Sequence, residues 1–174
     1  MSGGEGKRFE KNIKDSCDKQ GILWERYQDS NKFGFGKETR FTMQSPCDGH
    51  IYYEGKLYYI ELKSCKTGSI SIQKDKTEKN KSIKAHQIES LIKRSQYDGV
   101  IPGFIIWFVD RDTKTKHIEG GTYFIHIKDF VDWLGNCGKS SINQEDAKSI
   151  GTEVHGRKLK TNYRYNIEDL LGKI

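Results

Sequence analysis

Residues 47–65 read CDGHIYYEGKLYYIELKSC and predict a β-hairpin at the centre of the fold. Two runs rich in Tyr and Ile flank Glu54-Gly55, which is a signal for a hairpin turn. With the turn at that dipeptide, Asp48 faces Glu61 across the hairpin. Directly opposed residues share one face of a sheet, so the two carboxylates are expected to lie close together.

The hairpin also carries a candidate catalytic centre. Lys63 follows Glu61 by two residues and therefore projects from the same face of the strand. Two neighbouring carboxylates are unfavourable unless a proton or a cation lies between them, and oxygen ligands suit Mg²⁺ or Mn²⁺. An ion held by Asp48 and Glu61 could polarise a phosphate and activate a water, and Lys63 could orient that water. The pattern thus points to metal-dependent phosphodiester hydrolysis, while a surface network in which the two acids share Lys63 is the alternative.

The chain on either side of the hairpin predicts helices and further strands. Phe9, Ile13 and Cys17 recur at the spacing of one helical stripe, and Glu10 on the solvent side of this helix could supply a further metal ligand. An α/β (α+β) fold is expected, with a mixed central β-sheet flanked by helices. The predicted strands outside the hairpin are 22–27, 103–110 and 122–127, and the predicted helices are 7–20, 82–95 (with Ser82 as a possible N-cap) and 128–134, with loops at 28–46, 66–84, 111–121 and 135–152.

The composition fits one domain, residues 1–174, with an anionic partner. The chain has 30 Lys and Arg against 24 Asp and Glu, a net charge of +6, and nucleic acid is the commonest partner of such a basic chain. Its longest apolar run, Phe104–Val109, is far shorter than the ~18–20 residues that a membrane helix needs. The opening MSGGEGKR lacks the apolar core of a signal peptide, so a cytoplasmic protein without membrane contact is expected.

No CxxC motif is present among the four cysteines, which are Cys17, Cys47, Cys65 and Cys137. They are expected to be free thiols. A zinc site formed by Cys47, His50 and Cys65 is an alternative, but it lacks the paired spacing of structural zinc sites.

Three basic segments are candidate DNA-binding surfaces. Residues 66–84 are expected to form a mobile basic loop beside the catalytic strand, where lysines contact phosphate or are simply solvated. Residues 28–45 are expected to form a protruding arm, and residues 153–174 form a basic tail. The candidate DNA contacts are Lys66, Lys74, Lys76, Lys79, Lys81 and Lys84 in the loop, and Lys32, Lys37 and Arg40 in the arm.

Taken together, these motifs resemble a known superfamily. SPCDG and ELK, with the twelve residues 49–60 between Asp48 and Glu61, look like the signature of the PD-(D/E)XK nucleases, whose core is restriction-endonuclease-like. GKRFEKNI at 6–13, AHQIESL at 85–91, GFIIWFV and TYFIHIKDFVDWL extend the resemblance to RecU-type Holliday junction resolvases over roughly residues 6–134. Three features depart from that pattern: the residues before Asp48 are Ser-Pro-Cys, the arm at 28–45 looks short, and the loop at about 64–82 looks long.

The resemblance implies a homodimeric endodeoxyribonuclease that nicks four-way (Holliday) junctions in DNA recombination and repair, using Mg²⁺ or Mn²⁺. It carries the metal ligands onto Asp48, Glu61 and Glu10, the catalytic lysine onto Lys63 and a supporting polar residue onto Gln87. Arg40 becomes a candidate contact at the junction centre. Two alternatives stay open: another endonuclease of the superfamily (restriction, homing or repair type) and a non-catalytic DNA-binding module.

Overall fold

The computed structural model describes residues 3–27 and 45–174. Its helices are α1 (Gly3–Lys19), α2 (Ala85–Arg94), α3 (Ile127–Cys137), α4 (Gln144–Ile150) and α5 (Ile167–Leu171). Its strands are β1 (Leu23–Arg26), β2 (Gly49–Tyr53), β3 (Lys56–Cys65), β4 (Ser69–Ser71), β5 (Val100–Phe108), β6 (Arg111–Asp112), β7 (His117–Ile118), β8 (Gly121–His126), β9 (Ser141–Asn143), β10 (Thr152–Glu153), β11 (Gly156–Lys158) and β12 (Tyr163–Tyr165).

A six-stranded mixed sheet in the order β1-β2-β3-β5-β8-β10 confirms the predicted fold class. The predicted register of the central hairpin is also confirmed, since Gly49 pairs with Ile60 and Tyr52 pairs with Leu57. β3 and β5 run parallel, and α2 lies in the connection between them. The other pairs of this sheet are antiparallel.

Each face of the sheet is covered by its own helices and its own core. Alternate residues of β3 point to opposite faces, so Ile60 and Leu62 pack in one core while Cys65 packs in the other. Helices α1 and α5 cover the first face, and α2, α3 and α4 cover the second. Glu61 and Lys63 therefore project on the face of α2, opposite to α1.

Residues 66–84, which were predicted to form a mobile loop, contain strand pairing at both ends. β4 pairs with β9, and Ile72 forms a bridge with Ile83. Ile70, Ile72 and Ile83 are buried, so three isoleucines dispersed among the lysines fix both ends of the segment. The prediction of one continuous loop was wrong for this reason, and α2 takes its N-cap from Lys84 rather than from Ser82.

Residues 135–152 also differ from the predicted loop. They contain β9 and the short helix α4, which begins with a reciprocal capping box between Asn143 and Asp146. That box satisfies backbone N–H groups at the start of a helix that is only seven residues long. The turn 111–121 contains the short pair β6 and β7, and the basic tail contains β11 and β12. Within the part of the chain that the structure describes, no helix is long and apolar enough to cross a membrane.

Candidate active site

Asp48 and Glu61 come together at the end of the β2–β3 hairpin. The Asp48 carboxylate accepts the backbone N–H of Leu62, with 2.7 Å between Oδ2 and N. A hydrogen bond joins the carboxyl groups of Asp48 and Glu61. Glu61 is only 2% exposed, so this acidic pair is largely removed from water.

Lys63 and Gln87 complete the surroundings of Glu61. The Lys63 ammonium donates to Glu61 Oε1 at 2.9 Å, and the Gln87 amide nitrogen donates to the same oxygen. The Gln87 amide oxygen accepts the backbone N–H of Lys84 at 2.9 Å. Gln87 therefore connects the start of α2 to the buried carboxylate, and four of the five candidate catalytic residues are in one cluster.

The environment raises the pKa of Glu61 to about 7. Burial is the main cause, and the neighbouring Asp48 carboxylate raises the pKa further, whereas the Lys63 ammonium opposes the shift. Without a metal, the acid pair therefore keeps a proton near neutral pH. A divalent cation would replace that proton, and carboxylate oxygens are ligands that Mg²⁺ and Mn²⁺ accept, so the donor set fits such an ion.

Glu10 is placed differently from the other candidates. It belongs to α1, which packs on the opposite face of the sheet, and its carboxylate pairs with Arg26 at 3.2 Å. Among residues 3–27 and 45–174, no group of three or more acidic, histidine or cysteine side chains is arranged to hold a metal ion. The structure thus brings Asp48 and Glu61 together without Glu10, whose role as a ligand stays a prediction.

A second contact between α2 and the site was missed by the sequence analysis. Ser90 donates to the Pro46 carbonyl at 2.7 Å, which ties the helix to the segment just before Asp48. Arg94 donates to the Ser90 carbonyl and stacks over the ring of Tyr59 at 4.8 Å. The spacing of Gln87, Ser90 and Arg94 by three and four residues places them on one helical face, and that spacing was the available signal.

The aromatic rings beside Glu61 form a continuous surface. Tyr27 and Tyr59 stack with 6.3 Å between ring centroids, and His50 contacts both rings. Burial and the hydrogen bond to Tyr59 raise the pKa of Tyr27 well above its usual range. Tyr27 therefore keeps its hydroxyl proton, and both rings lie on the face of the sheet that is covered by α2.

The zinc alternative does not fit the cysteines. Burial raises the pKa of the Cys47 thiol to about 12, and its Sγ donates to the Gly49 carbonyl. A thiol must lose its proton to bind zinc, and this environment opposes that loss. All four cysteines are free, as predicted.

The candidate DNA-binding lysines of the loop divide into two groups. Lys66, Lys76 and Lys81 form ion pairs with Glu5, Glu89 and Glu78, respectively. Within the described part of the chain, no ion pair is formed by the exposed residues Lys74, Lys79 and Lys84. The three arm candidates, Lys32, Lys37 and Arg40, lie outside the described residues.

Comparisons with known proteins agree with the fold. No family model matches the chain. The chain is 32% identical to the SPbeta prophage-derived uncharacterized protein YotM of Bacillus subtilis (strain 168), over 98% of this chain and 86% of that protein. Among solved structures, Archaeoglobus fulgidus Hjc, a Holliday junction resolvase from an archaeal hyperthermophile, matches with a TM-score of 0.52. The match has 17% sequence identity and covers 85% of this chain and 95% of Hjc.

Proposed function

This chain belongs to the family of the SPbeta prophage-derived protein YotM, and on that premise we propose that it is a metal-dependent endonuclease that resolves four-way DNA junctions. The observation that carries the proposal is the buried carboxylate of Glu61, which contacts Asp48, Lys63 and Gln87. The similarity of the fold to Hjc, a Holliday junction resolvase, supports a nuclease. The finer assignment to RecU-type resolvases rests on the sequence motifs.

Each residue of the cluster has a role in phosphodiester hydrolysis that its contacts support. Asp48 and Glu61 would hold Mg²⁺ or Mn²⁺, which supplies Lewis acidity and lowers the pKa of a bound water. Lys63 places a positive charge beside that site, where it stabilises negative charge that develops on the phosphate. Gln87 fixes the orientation of Glu61, because its amide is held at the same time by the backbone of Lys84.

The side chains near the site are suited to a DNA backbone. Lys74, Lys79 and Lys84 are exposed in the segment that leaves the catalytic strand and returns at α2. Their ammonium groups are available for phosphate, so binding is expected to weaken steeply with salt. The arm residues Lys32, Lys37 and Arg40 are proposed to add contacts near the junction centre.

We expect the active form to be a homodimer, since two symmetric nicks in a four-way junction need two catalytic centres. One surface feature supports this expectation. Leu23 and Tyr52 are paired in register between β1 and β2 and are 51% and 54% exposed. Sedimentation equilibrium of the wild-type chain and of Tyr52→Ser tests whether this apolar surface is covered by a second copy.

The decisive experiment incubates the protein with a labelled synthetic four-way junction and Mg²⁺, with linear duplex as the control substrate. Asp48→Asn retains an acceptor for the Leu62 N–H but removes a metal-binding charge, so cleavage is expected to be lost while the fold is kept. Lys63→Ala is expected to abolish cleavage and leave junction binding largely intact. Lys56→Ala is the matched control, because it removes one lysine of the same strand about 23 Å away.

Each alternative outcome has a different meaning. Magnesium-dependent nicking that survives in both Asp48→Asn and Lys63→Ala would refute the proposed site. Equal cleavage of linear duplex and junction would favour another type of DNA endonuclease. Binding of DNA without any hydrolysis in Mg²⁺ or Mn²⁺ would favour the non-catalytic module.

A further inference from the structure

Two arginines face each other on the small sheet formed by β11 and β12. Arg157 is the register partner of Arg164. Directly opposed residues on a sheet lie close together, and like charges there are destabilising. Among residues 3–27 and 45–174, neither guanidinium forms an ion pair with a carboxylate; Arg164 instead donates to the backbone carbonyl of Asp15 at 2.9 Å. The pair therefore leaves two positive charges together, and an anion would relieve their repulsion.

The arginine pair lines an open groove of about 660 Å³ between the end of α1 and the β11–β12 hairpin. Lys19 and His155 also line the groove, and Glu168 contributes a carboxylate to its wall. Apart from His155, the groove is lined by three cationic side chains, Lys19, Arg157 and Arg164, and by one acidic side chain, Glu168. The groove thus has a net positive charge and is open enough to admit a chain of phosphates.

The groove is distinct from the candidate active site. It lies at the C-terminal end of α1, whereas Glu5, near the start of that helix, pairs with Lys66 just after β3. Glu5 and Lys19 are fourteen residue steps apart, which is about 21 Å along the helix. In addition, α1 packs on the face of the sheet opposite to Glu61. No single phosphate can contact both places.

The geometry points to a second nucleic-acid site, in which Arg157, Arg164 and Lys19 bind the phosphodiester backbone of a DNA segment other than the one at Glu61. The inference rests on the proposed function for the identity of the nucleic acid, but it does not require that the protein cuts DNA. Arginine is suited to this role because its planar guanidinium donates two parallel hydrogen bonds to a phosphate. Lys160, in the turn that joins β11 and β12, is exposed and adds a further positive charge to this hairpin.

The test measures binding of duplex DNA by fluorescence anisotropy in EDTA, so that cleavage does not enter. The double variant Lys19→Gln, Arg157→Gln is compared with Lys128→Gln, Lys148→Gln, which removes the same charge from two exposed lysines on α3 and α4. Loss of two phosphate contacts is expected to lower the affinity by up to about 60-fold at ~0.1 M salt and to flatten the salt slope by about two. Arg164 is left in place because it bonds to α1.

A second measurement separates binding from a structural role. Arg157→Gln relieves the like-charge pair, so the thermal midpoint of the free protein is expected to stay level or rise while DNA affinity falls. Equal affinity and equal salt slopes for the groove variant and its charge-matched control would overturn the inference. Thermal stabilisation by inorganic phosphate with unchanged duplex affinity would also overturn it, because it would assign the groove to a small anion. The proposed function is tested separately: if the wild-type protein with Mg²⁺ does not cleave the junction, that function is wrong, whatever the binding measurements show.

Discussion

Replacing Glu61 with glutamine should stabilise the metal-free protein at high pH. The pKa of this carboxyl moves from 4.5 in a solvated chain to about 7 in the folded protein. Ionisation of Glu61 at high pH therefore costs the folded state about 3 kcal/mol, at ~1.4 kcal/mol for each pH unit between the two values. Glutamine has the same shape and can keep hydrogen bonds to Asp48, Lys63 and Gln87 without any charge.

The direction of the pH dependence follows from the raised pKa. The stability that the protonated carboxyl provides is fully present below pH 4.5 and is lost as the pH rises through about 7. The advantage of Glu61→Gln in the free energy of unfolding should thus be near 3 kcal/mol at about pH 8.5 and under about 1 kcal/mol at about pH 5. Titrating groups that do not interact with Glu61 cancel in the difference between the two proteins.

The assay is urea unfolding in EDTA at both pH values, followed by circular dichroism. Glu153→Gln, at an exposed carboxylate, controls for the loss of one negative charge. Addition of Mg²⁺ or Mn²⁺ should then stabilise the wild-type protein more than Glu61→Gln, because the variant keeps only the Asp48 carboxylate as a charged ligand. A difference between the two proteins that does not vary with pH would refute the burial argument, and equal metal stabilisation would refute the metal site.

Further predictions concern the role of Gln87, the dependence of cleavage on pH and the packing of the central sheet. Gln87→Ala should lower metal affinity or single-turnover cleavage about 10- to 100-fold, as loss of an orienting partner does, and unchanged kinetics would contradict that role. At subsaturating Mg²⁺ the cleavage rate should rise as the pH increases through about 7, because metal binding needs ionised Glu61; a flat profile from about pH 6 to 8 would argue against it. Gly103→Ala should lower the thermal midpoint strongly, since an added Cβ would lie 2.4 Å from the Ile125 carbonyl oxygen, whereas Gly135→Ala meets no atom within 4 Å and should leave the midpoint level or higher.

The hairpin and its acids were predictable because their signals are local. The turn at Glu54-Gly55 and the period of two along β3 fix which side chains share a face, and no distant residue is needed for that inference. The burial of Glu61 depends instead on α2, which follows in the chain after the whole segment 66–84. The raised pKa of Glu61 could therefore not be predicted from the hairpin sequence alone.

The misses have equally physical causes. Helix α4 has only seven residues, so its apolar period is too short to detect, and its capping residues resemble those of a loop. Ile70 and Ile72 are separated from Ile83 by a polar stretch that contains four lysines, and their burial comes from pairing with β9 and from the bridge between Ile72 and Ile83. The helical pattern at Glu10 was correct, but a helical wheel does not say which face of the sheet the helix covers.

The crossover between the two parallel strands has a consequence for how this protein tolerates change in length. Gln87 and Ser90 hold α2 to Glu61 and to Pro46, and the strand that follows α2 lies directly beside the catalytic strand. Added or deleted residues near positions 74–80, most of which are exposed, would consequently be absorbed before the helix, and the spacing of the catalytic groups would be preserved. Relatives can thus alter the surface they present to nucleic acid while conserving the reaction centre.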